Sequence, residues 1–298
     1  MPERIVDSGD VKIWSEDFGS PEDPTLLLIM GANASAMGWP DELVELLAEQ
    51  WLHVIRYDHR DTGRSTHRDI TSHPYSLSDL AADAVAVLDG WGVERAHVVG
   101  MSMGGTIGQL LALDYRHRLR SLTLMLTAAL DVDFVGNIQR ALNHEPAADG
   151  LPTPDPRVLA VLADRARPVA DLEAELERRV AEWRALCGSE LSFNADEFRR
   201  WETRAIEHAG THVQPTAHAF AVTVPLTRGT ELRGVATPTL VIQGRCDPLN
   251  PPPHGRHLAD MIPNARLVEI AGMGHTLPSC IHRELTRLIG EHVRSATA

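Results

Sequence analysis

A serine between small residues has the clearest chemical meaning in this sequence. Residues 100–104 read Gly-Met-Ser-Met-Gly, with Ser102 at the centre. A β-branched run at residues 96–99 precedes the motif, and a helix-like run at residues 106–113 follows it. Glycine on both sides allows a sharp turn where a Cβ would collide with the neighbouring backbone. The pattern predicts a nucleophile elbow, in which the hydroxyl of Ser102 stands exposed at the edge of a sheet.

A serine becomes a nucleophile only with a base and an orienting acid, and two late loops each offer one such residue. Asp247 follows the apolar run at residues 238–242, and His275 follows the run at residues 266–270. In open parallel sheets, functional groups collect beyond the carboxyl ends of the strands. We expect His275 to accept the proton of Ser102 and pass it to the leaving group, while Asp247 fixes the imidazole tautomer.

Each of these residues also has a simpler interpretation. Gly105 would make the motif a plain flexible turn, and Asp247 before Pro248 is typical of turns. His275 is one of 15 histidines in the chain. Because Asp247 and His275 occur in this order and each lies a few residues past a predicted strand, the catalytic interpretation is favoured over two separate coincidences.

The oxygen that becomes negative during attack on an ester requires two N–H donors. We expect one donor from Met103, which follows Ser102, and the other from Ala32, in the loop after the strand-like run at residues 25–30. Gly31 and Asn33 flank Ala32 and are expected to contact the substrate. The Asn33 side chain either orients this loop or is an ordinary loop asparagine.

The elements that must position these residues alternate between strands and helices. The strand-like runs are residues 11–18, 25–30, 52–57, 96–99, 121–127, 238–242 and 266–270. The helix-like runs between and after them are residues 40–49, 77–91, 106–113, 254–261 and 280–295. This alternation predicts an α/β fold, with a mostly parallel sheet and helices on both of its faces.

The alternation stops between about residues 131 and 230. A proline-rich stretch that includes Pro146 and Pro156 predicts loops, and two amphipathic helices follow at residues 171–187 and 195–209. We interpret residues 131–230 as an inserted helical cap. Residues 1–130 and 231–298 then form the core domain.

Aromatic residues in the cap could stack on a planar ligand or pack in the cap's own core. They are Phe134, Trp183, Phe193, Phe198, Trp201 and Phe220. Among these, Phe134 and Trp183 are the candidate substrate contacts.

Composition narrows the class of protein. The 298 residues are 43% hydrophobic, enough for a sizeable core, and carry a formal net charge of −13. An acidic chain is poorly suited to nucleic acids or anionic membranes. The expected partner is a small-molecule ester, and the sequence leaves monomer and homodimer both open.

Cysteines and termini point to a cytoplasmic protein. Cys187, Cys246 and Cys280 are widely spaced and form no disulfide pattern. The N-terminus has no signal-peptide pattern, and no apolar run is long enough to span a bilayer.

The sequence predicts neither a metal nor a cofactor. The cap histidines His208, His212 and His218 lack metal-ligand spacing. No Gly-x-Gly-x-x-Gly motif follows a strand, so no nucleotide site is expected either.

At these residues the chain resembles the α/β-hydrolases with a helical cap, over its whole length and with the family's order of Ser102, Asp247 and His275. More narrowly, the segments at residues 28–31, 38–41, 53–65 and 81–93 resemble the anthracycline methylesterases, such as aclacinomycin methylesterases. The resemblance implies an eight-stranded sheet. It also implies removal of a methyl ester from an aromatic polyketide through an acyl-enzyme, after which the freed acid can lose carbon dioxide.

One departure from the family lies before the oxyanion donor. Many hydrolases have His-Gly there, and this chain has Met30-Gly31. Because the donor is a backbone N–H, the departure is compatible with catalysis.

Other functions stay open at this point. The same residues would serve a general carboxylesterase, a lactonase, or a cofactor-free perhydrolase or C–C hydrolase. A non-catalytic protein that binds a small ligand is the alternative outside the enzymes, and a complete triad weighs against it.

Overall fold

An eight-stranded sheet forms the centre of the computed structural model, which describes residues 2–297. Its strands are β1 (Glu3–Ser8), β2 (Val11–Phe18), β3 (Thr25–Ile29), β4 (His53–Tyr57), β5 (Ala96–Met101), β6 (Leu119–Met125), β7 (Thr239–Gly244) and β8 (Arg266–Ile270). They lie in the order β1-β2-β4-β3-β5-β6-β7-β8. Strand β2 pairs antiparallel with β1 and β4, and the remaining pairs are parallel. The mostly parallel eight-stranded sheet is therefore confirmed.

Helices on both faces cover the sheet. The helices of the described residues are α1 (Asp41–Ala48), α2 (Leu77–Gly90), α3 (Met103–Asp114), α4 (Phe134–Leu142), α5 (Pro156–Ala163), α6 (Leu172–Leu186), α7 (Ala195–Ala209), α8 (His254–Met261) and α9 (His282–Thr297). Helices α1 and α9 pack together on one face, whereas α2, α3 and α8 pack on the other. Across residues 2–297, no helix combines the length and apolar character needed to cross a membrane.

Strand β3 shows how the sheet is buried on both sides. Leu27 and Ile29 join the apolar cluster beneath α2 and α3, and Leu26 and Leu28 join the cluster beneath α1 and α9. Successive side chains of a strand point to opposite faces. A continuous apolar run is therefore what this central strand requires.

The sequence pattern missed strand β1. Of its six residues only Val6 is buried, so the segment has no apolar run that would mark it as a strand. It lies at the edge of the sheet and is held by antiparallel pairing with β2.

Two helices also lie where the sequence predicted loops or no element. Helix α4 begins at Phe134, and α5 begins at Pro156, inside the proline-rich stretch. Pro156 takes the first helical position, which needs no N–H donor, and Asp155 caps the helix by accepting the Arg157 N–H at 2.8 Å. The loop prediction was wrong at this point because a proline can begin a helix as well as end one.

The chain between β6 and β7 holds α4 to α7 and includes residues 131–230, the segment interpreted as the cap. Helices α6 and α7 pack against each other, with Phe198 fully buried between them. Its ring stacks on Phe193 at 4.7 Å and on Trp183 at 5.6 Å between ring centroids. These three aromatic residues therefore form the segment's own core.

Polar contacts join this segment to the rest of the protein. Four residues of the cap segment each contact one residue of the core: Glu197 contacts Ser279, Arg204 contacts Asp41, His208 contacts Asp58, and His218 contacts Asn33. Near the end of the segment, Val222 exchanges backbone hydrogen bonds with Tyr75 and Leu77. Contact with the core thus begins before residue 230, and the bounds 131–230 stay an interpretation.

Candidate active site

Ser102 stands at a strained turn between β5 and α3. Its backbone adopts φ 54° and ψ −121°, a region that costs a non-glycine residue about 1–3 kcal/mol. The Ser102 N–H donates to the carbonyl of Met125 in the neighbouring strand at 2.9 Å. The side chain is partly exposed, so the turn presents the hydroxyl at the carboxyl end of the sheet.

Close backbone contacts explain both glycines of the motif. A Cβ on Gly100 would overlap the carbonyl oxygen of Gly104. One on Gly104 would overlap the carbonyl oxygen of Ile29 in β3. The turn is therefore tightly packed against the sheet, which argues against a merely flexible glycine loop.

Asp247 and His275 form a buried pair beyond β7 and β8. The Nδ1 atom of His275 lies 2.9 Å and 3.1 Å from the two carboxylate oxygens of Asp247. Asp247 is 2% exposed and His275 is 5% exposed. One oxygen of Asp247 also accepts the N–H groups of Leu249 and Asn250, at 2.8 Å and 3.0 Å. These bonds fix the carboxylate and direct it at the imidazole.

Asn250 ties this pair to the strand beside Ser102. Its side-chain amide donates to the carbonyl of Leu126 at 3.0 Å, one residue beyond the Met125 carbonyl that holds Ser102. Sequence reasoning missed Asn250, because the partner that gives it a role is 124 residues away.

Within residues 2–297, no hydrogen bond joins the Ser102 hydroxyl to His275. Catalytic hydrogen bonds are often long in ligand-free proteins and tighten when substrate binds. The structure thus brings Asp247 and His275 into contact and places Ser102 at the same sheet edge.

The end of α6 covers the His275 loop. The His275 N–H donates to the carbonyl of Leu186 at 2.7 Å, and a Cβ on Gly274 would overlap the Cys187 backbone. A cap helix therefore contributes to the position of the histidine, which the sequence did not predict.

The loop after β3 lies against the serine. A Cβ built on Gly31 would be 3.2 Å from the Ser102 Cβ and 3.7 Å from its Oγ. Ala32 is exposed, and among residues 2–297 nothing accepts its N–H. Met103 is the first residue of α3, where a helix leaves its N–H without an intrahelical acceptor. Ala32 and Met103 therefore stay the predicted oxyanion donors.

Comparison with known proteins places this architecture. The alpha/beta hydrolase fold family matches residues 24–278. The chain belongs to this family. It is 54% identical over 297 residues to rhodomycin D methylesterase DnrP from Streptomyces peucetius, and 53% identical over 297 residues to rhodomycin D methylesterase DauP from another Streptomyces strain. Each of these alignments covers 100% of both chains. The resemblance to the anthracycline methylesterases is thereby confirmed.

A solved structure shows the same hydrolase fold at lower identity. The thermophilic esterase from Thermogutta terrifontis superposes with a TM-score of 0.73 at 21% identity and 100% coverage of both chains. At this identity the likeness concerns the fold alone.

The two aromatic candidates have different surroundings in this hydrolase. Phe134 is the partly exposed first residue of α4. Trp183 is partly exposed as well, but it stacks on Phe198 and donates its indole N–H to Glu202 at 2.5 Å. Trp183 is therefore engaged inside the cap, and Phe134 is the freer of the two rings.

In the part of the chain that the structure describes, no group of three His, Cys, Asp or Glu side chains has an arrangement suited to a metal ion. The three cysteines are unpaired.

Proposed function

We propose that this chain is a serine carboxylic-ester hydrolase that removes a methyl ester from an aromatic polyketide of the anthracycline kind. The buried Asp247–His275 pair, at the same sheet edge as the strained Ser102 turn, carries the proposal for the reaction. Full-length similarity to two rhodomycin D methylesterases supports the choice of substrate.

The first half of the reaction forms an acyl-enzyme. The Ser102 Oγ attacks the ester carbonyl carbon while His275 Nε2 accepts the hydroxyl proton. Asp247 holds the proton on Nδ1 and stabilises the imidazolium. The carbonyl oxygen becomes negative and is bound by the N–H groups of Ala32 and Met103. The bond to the methoxy group then breaks, and methanol leaves with the proton from His275.

Water completes the cycle. His275 takes a proton from a water molecule, whose oxygen attacks the acyl carbon. The tetrahedral intermediate collapses, Ser102 regains its proton from His275, and the free carboxylic acid is released.

Substrate selection falls to the groups around this centre. We propose Gly31 and Asn33 on the core side and Phe134 and Trp183 on the cap side as substrate contacts. Gly31 lies against Ser102, and the flat face of Phe134 suits a polycyclic ring system. A cytoplasmic location stays a prediction.

The test compares wild type with Ser102→Ala. We expect turnover of an anthracycline methyl ester to fall by about 10⁴–10⁶, with methanol release as the measurement. Ser72→Ala, at an exposed loop position, is the matched control and should behave as wild type. Turnover by Ser102→Ala close to wild type would contradict the assignment.

The substrate is tested separately with a panel of esters. Wild-type enzyme should prefer aromatic polyketide methyl esters to short p-nitrophenyl esters in kcat/KM. A strong preference for the short esters would leave a general carboxylesterase. Covalent labelling of Ser102 by a fluorophosphonate, located by mass spectrometry, distinguishes either enzyme from a protein that only binds a ligand.

A further inference from the structure

We propose that His218 is a positioning residue that fixes the loop of Gly31, Ala32 and Asn33 and thereby the N–H of Ala32. His218 belongs to the segment interpreted as the cap and does not touch the reacting atoms. The inference rests on the proposed function, since it assigns a role within the same hydrolytic site.

The loop needs support from outside. Ala32 is exposed, and Asn33 adopts a left-handed conformation with φ 61°. Asparagine tolerates this region better than most residues but still prefers others. A loop of this kind keeps one conformation only when neighbouring groups hold it there.

His218 supplies those groups through a reciprocal pair of bonds. The Asn33 N–H donates to His218 Nδ1 at 2.8 Å, and the His218 N–H donates to the Asn33 side-chain oxygen at 3.2 Å. On its other side, His218 Nε2 donates to the carbonyl of Arg60 at 3.0 Å. The ring thus clamps the loop after β3 to the loop after β4.

Both ring nitrogens have a fixed role, so the imidazole has one tautomer. Nδ1 must accept because it faces an N–H, and Nε2 must donate because it faces a carbonyl. The side chain lies in a buried setting against the rings of His59 and Tyr75. Burial lowers the pKa of His218 to about 3, which keeps the ring neutral and Nδ1 available as an acceptor.

The segment that carries His218 is itself anchored. His218 lies in the short 3-10 turn Ala217–Phe220. Four residues after His218, Val222 donates its N–H to Tyr75 at 2.9 Å and accepts the N–H of Leu77 at 3.0 Å. The clamp therefore has a rigid base on the core.

Two substitutions separate the two halves of the clamp. The amide oxygen of asparagine lies as many bonds from Cα as Nδ1, so His218→Asn retains an acceptor for the Asn33 N–H. The amide nitrogen of glutamine lies as many bonds from Cα as Nε2, so His218→Gln retains only the donor to Arg60. Arg204→Gln is the control, because it removes a different cap contact, the ion pair with Asp41, and leaves the hydrogen bonds of Asn33 in place.

The readouts are kcat and KM for p-nitrophenyl acetate and the rate of inactivation by a fluorophosphonate, both independent of the natural ester. Loss of one oxyanion donor costs about 10²–10³ in kcat, and a displaced donor costs less. We expect kcat of His218→Gln to fall by about 10–100-fold with KM nearly unchanged. His218→Asn and Arg204→Gln should stay near wild type, because the Asn33 N–H keeps an acceptor in both variants.

Equal losses in His218→Asn and His218→Gln, or no loss in either, would overturn the role of His218 while leaving the hydrolase intact. Absence of fluorophosphonate labelling in wild type would instead overturn the proposed function. If the His218 variants fail to fold, the anchor of the segment is tested instead: Val222→Pro removes the N–H that donates to Tyr75, and Val222→Ala keeps it. Equal kcat values for these two variants would also refute the clamp.

Discussion

Replacing Asp247 by asparagine exchanges one carboxylate oxygen for an amide NH₂ group and removes the negative charge, with little change in shape. The carboxylate accepts the N–H groups of Leu249 and Asn250 and the Nδ1 hydrogen of His275. In Asp247→Asn the amide oxygen can still accept from the two backbone groups. Its amide nitrogen then faces Nδ1, and two donors cannot share that contact.

The conflict is relieved when the proton of His275 moves from Nδ1 to Nε2. A protonated Nε2 cannot accept the hydrogen of Ser102, so the nucleophile is no longer activated. The same exchange in other serine hydrolases lowers kcat by about 10⁴, which corresponds to about 5.4 kcal/mol in the activation barrier. We expect a loss of that size here, with unchanged folding.

Asp247→Ala is the matched comparison. It also lowers activity, but it leaves the N–H groups of Leu249 and Asn250 without their buried acceptor. Each orphaned group costs about 1–3 kcal/mol of stability. The alanine variant should therefore melt at a lower temperature than wild type, whereas the asparagine variant should not.

The assay is steady-state hydrolysis of an activated ester together with thermal melting followed by circular dichroism. If Asp247→Asn kept kcat within tenfold of wild type, the tautomer argument would be refuted. If it melted as early as Asp247→Ala, the amide oxygen would not be holding the two backbone groups.

Further predictions concern the elbow and acid stability. Gly104→Ala should lower the unfolding free energy, measured by chemical denaturation, by more than about 3 kcal/mol, because the new methyl group overlaps the Ile29 carbonyl. Gly234→Ala is the control, because a methyl group at Gly234 meets open space. Burial lowers the pKa of His97 to about 4, against about 6.5 in the unfolded chain. The unfolded state therefore binds the extra proton below pH 6.5, and stability falls as the pH drops toward 4. His97→Asn should lose about 2 kcal/mol less than wild type between pH 6.5 and 4.5, measured by urea unfolding; an equal loss in both proteins would contradict the assignment to His97.

The central strands could be predicted because burial on both faces requires a local run of apolar residues, which is visible in the sequence. Strand β3 is buried on both faces and is apolar from Leu26 to Ile29. Strands β5, β7 and β8 end one, three and five residues before Ser102, Asp247 and His275, respectively. Strand β1 could not be predicted in this way, because pairing with β2 holds it rather than burial of its own side chains.

The contacts between the cap and the core could not be predicted from local sequence patterns. His218 has no metal-ligand spacing in the sequence, and its partner Asn33 is 185 residues away. Leu186 contributes only a backbone carbonyl to His275, and a carbonyl has no signature in the sequence. The side chains that carry the proposed chemistry lie near strand ends, whereas their positions depend on contacts with groups distant in the sequence. Substitution of His218 should therefore alter kcat even though the replaced side chain does not touch the substrate.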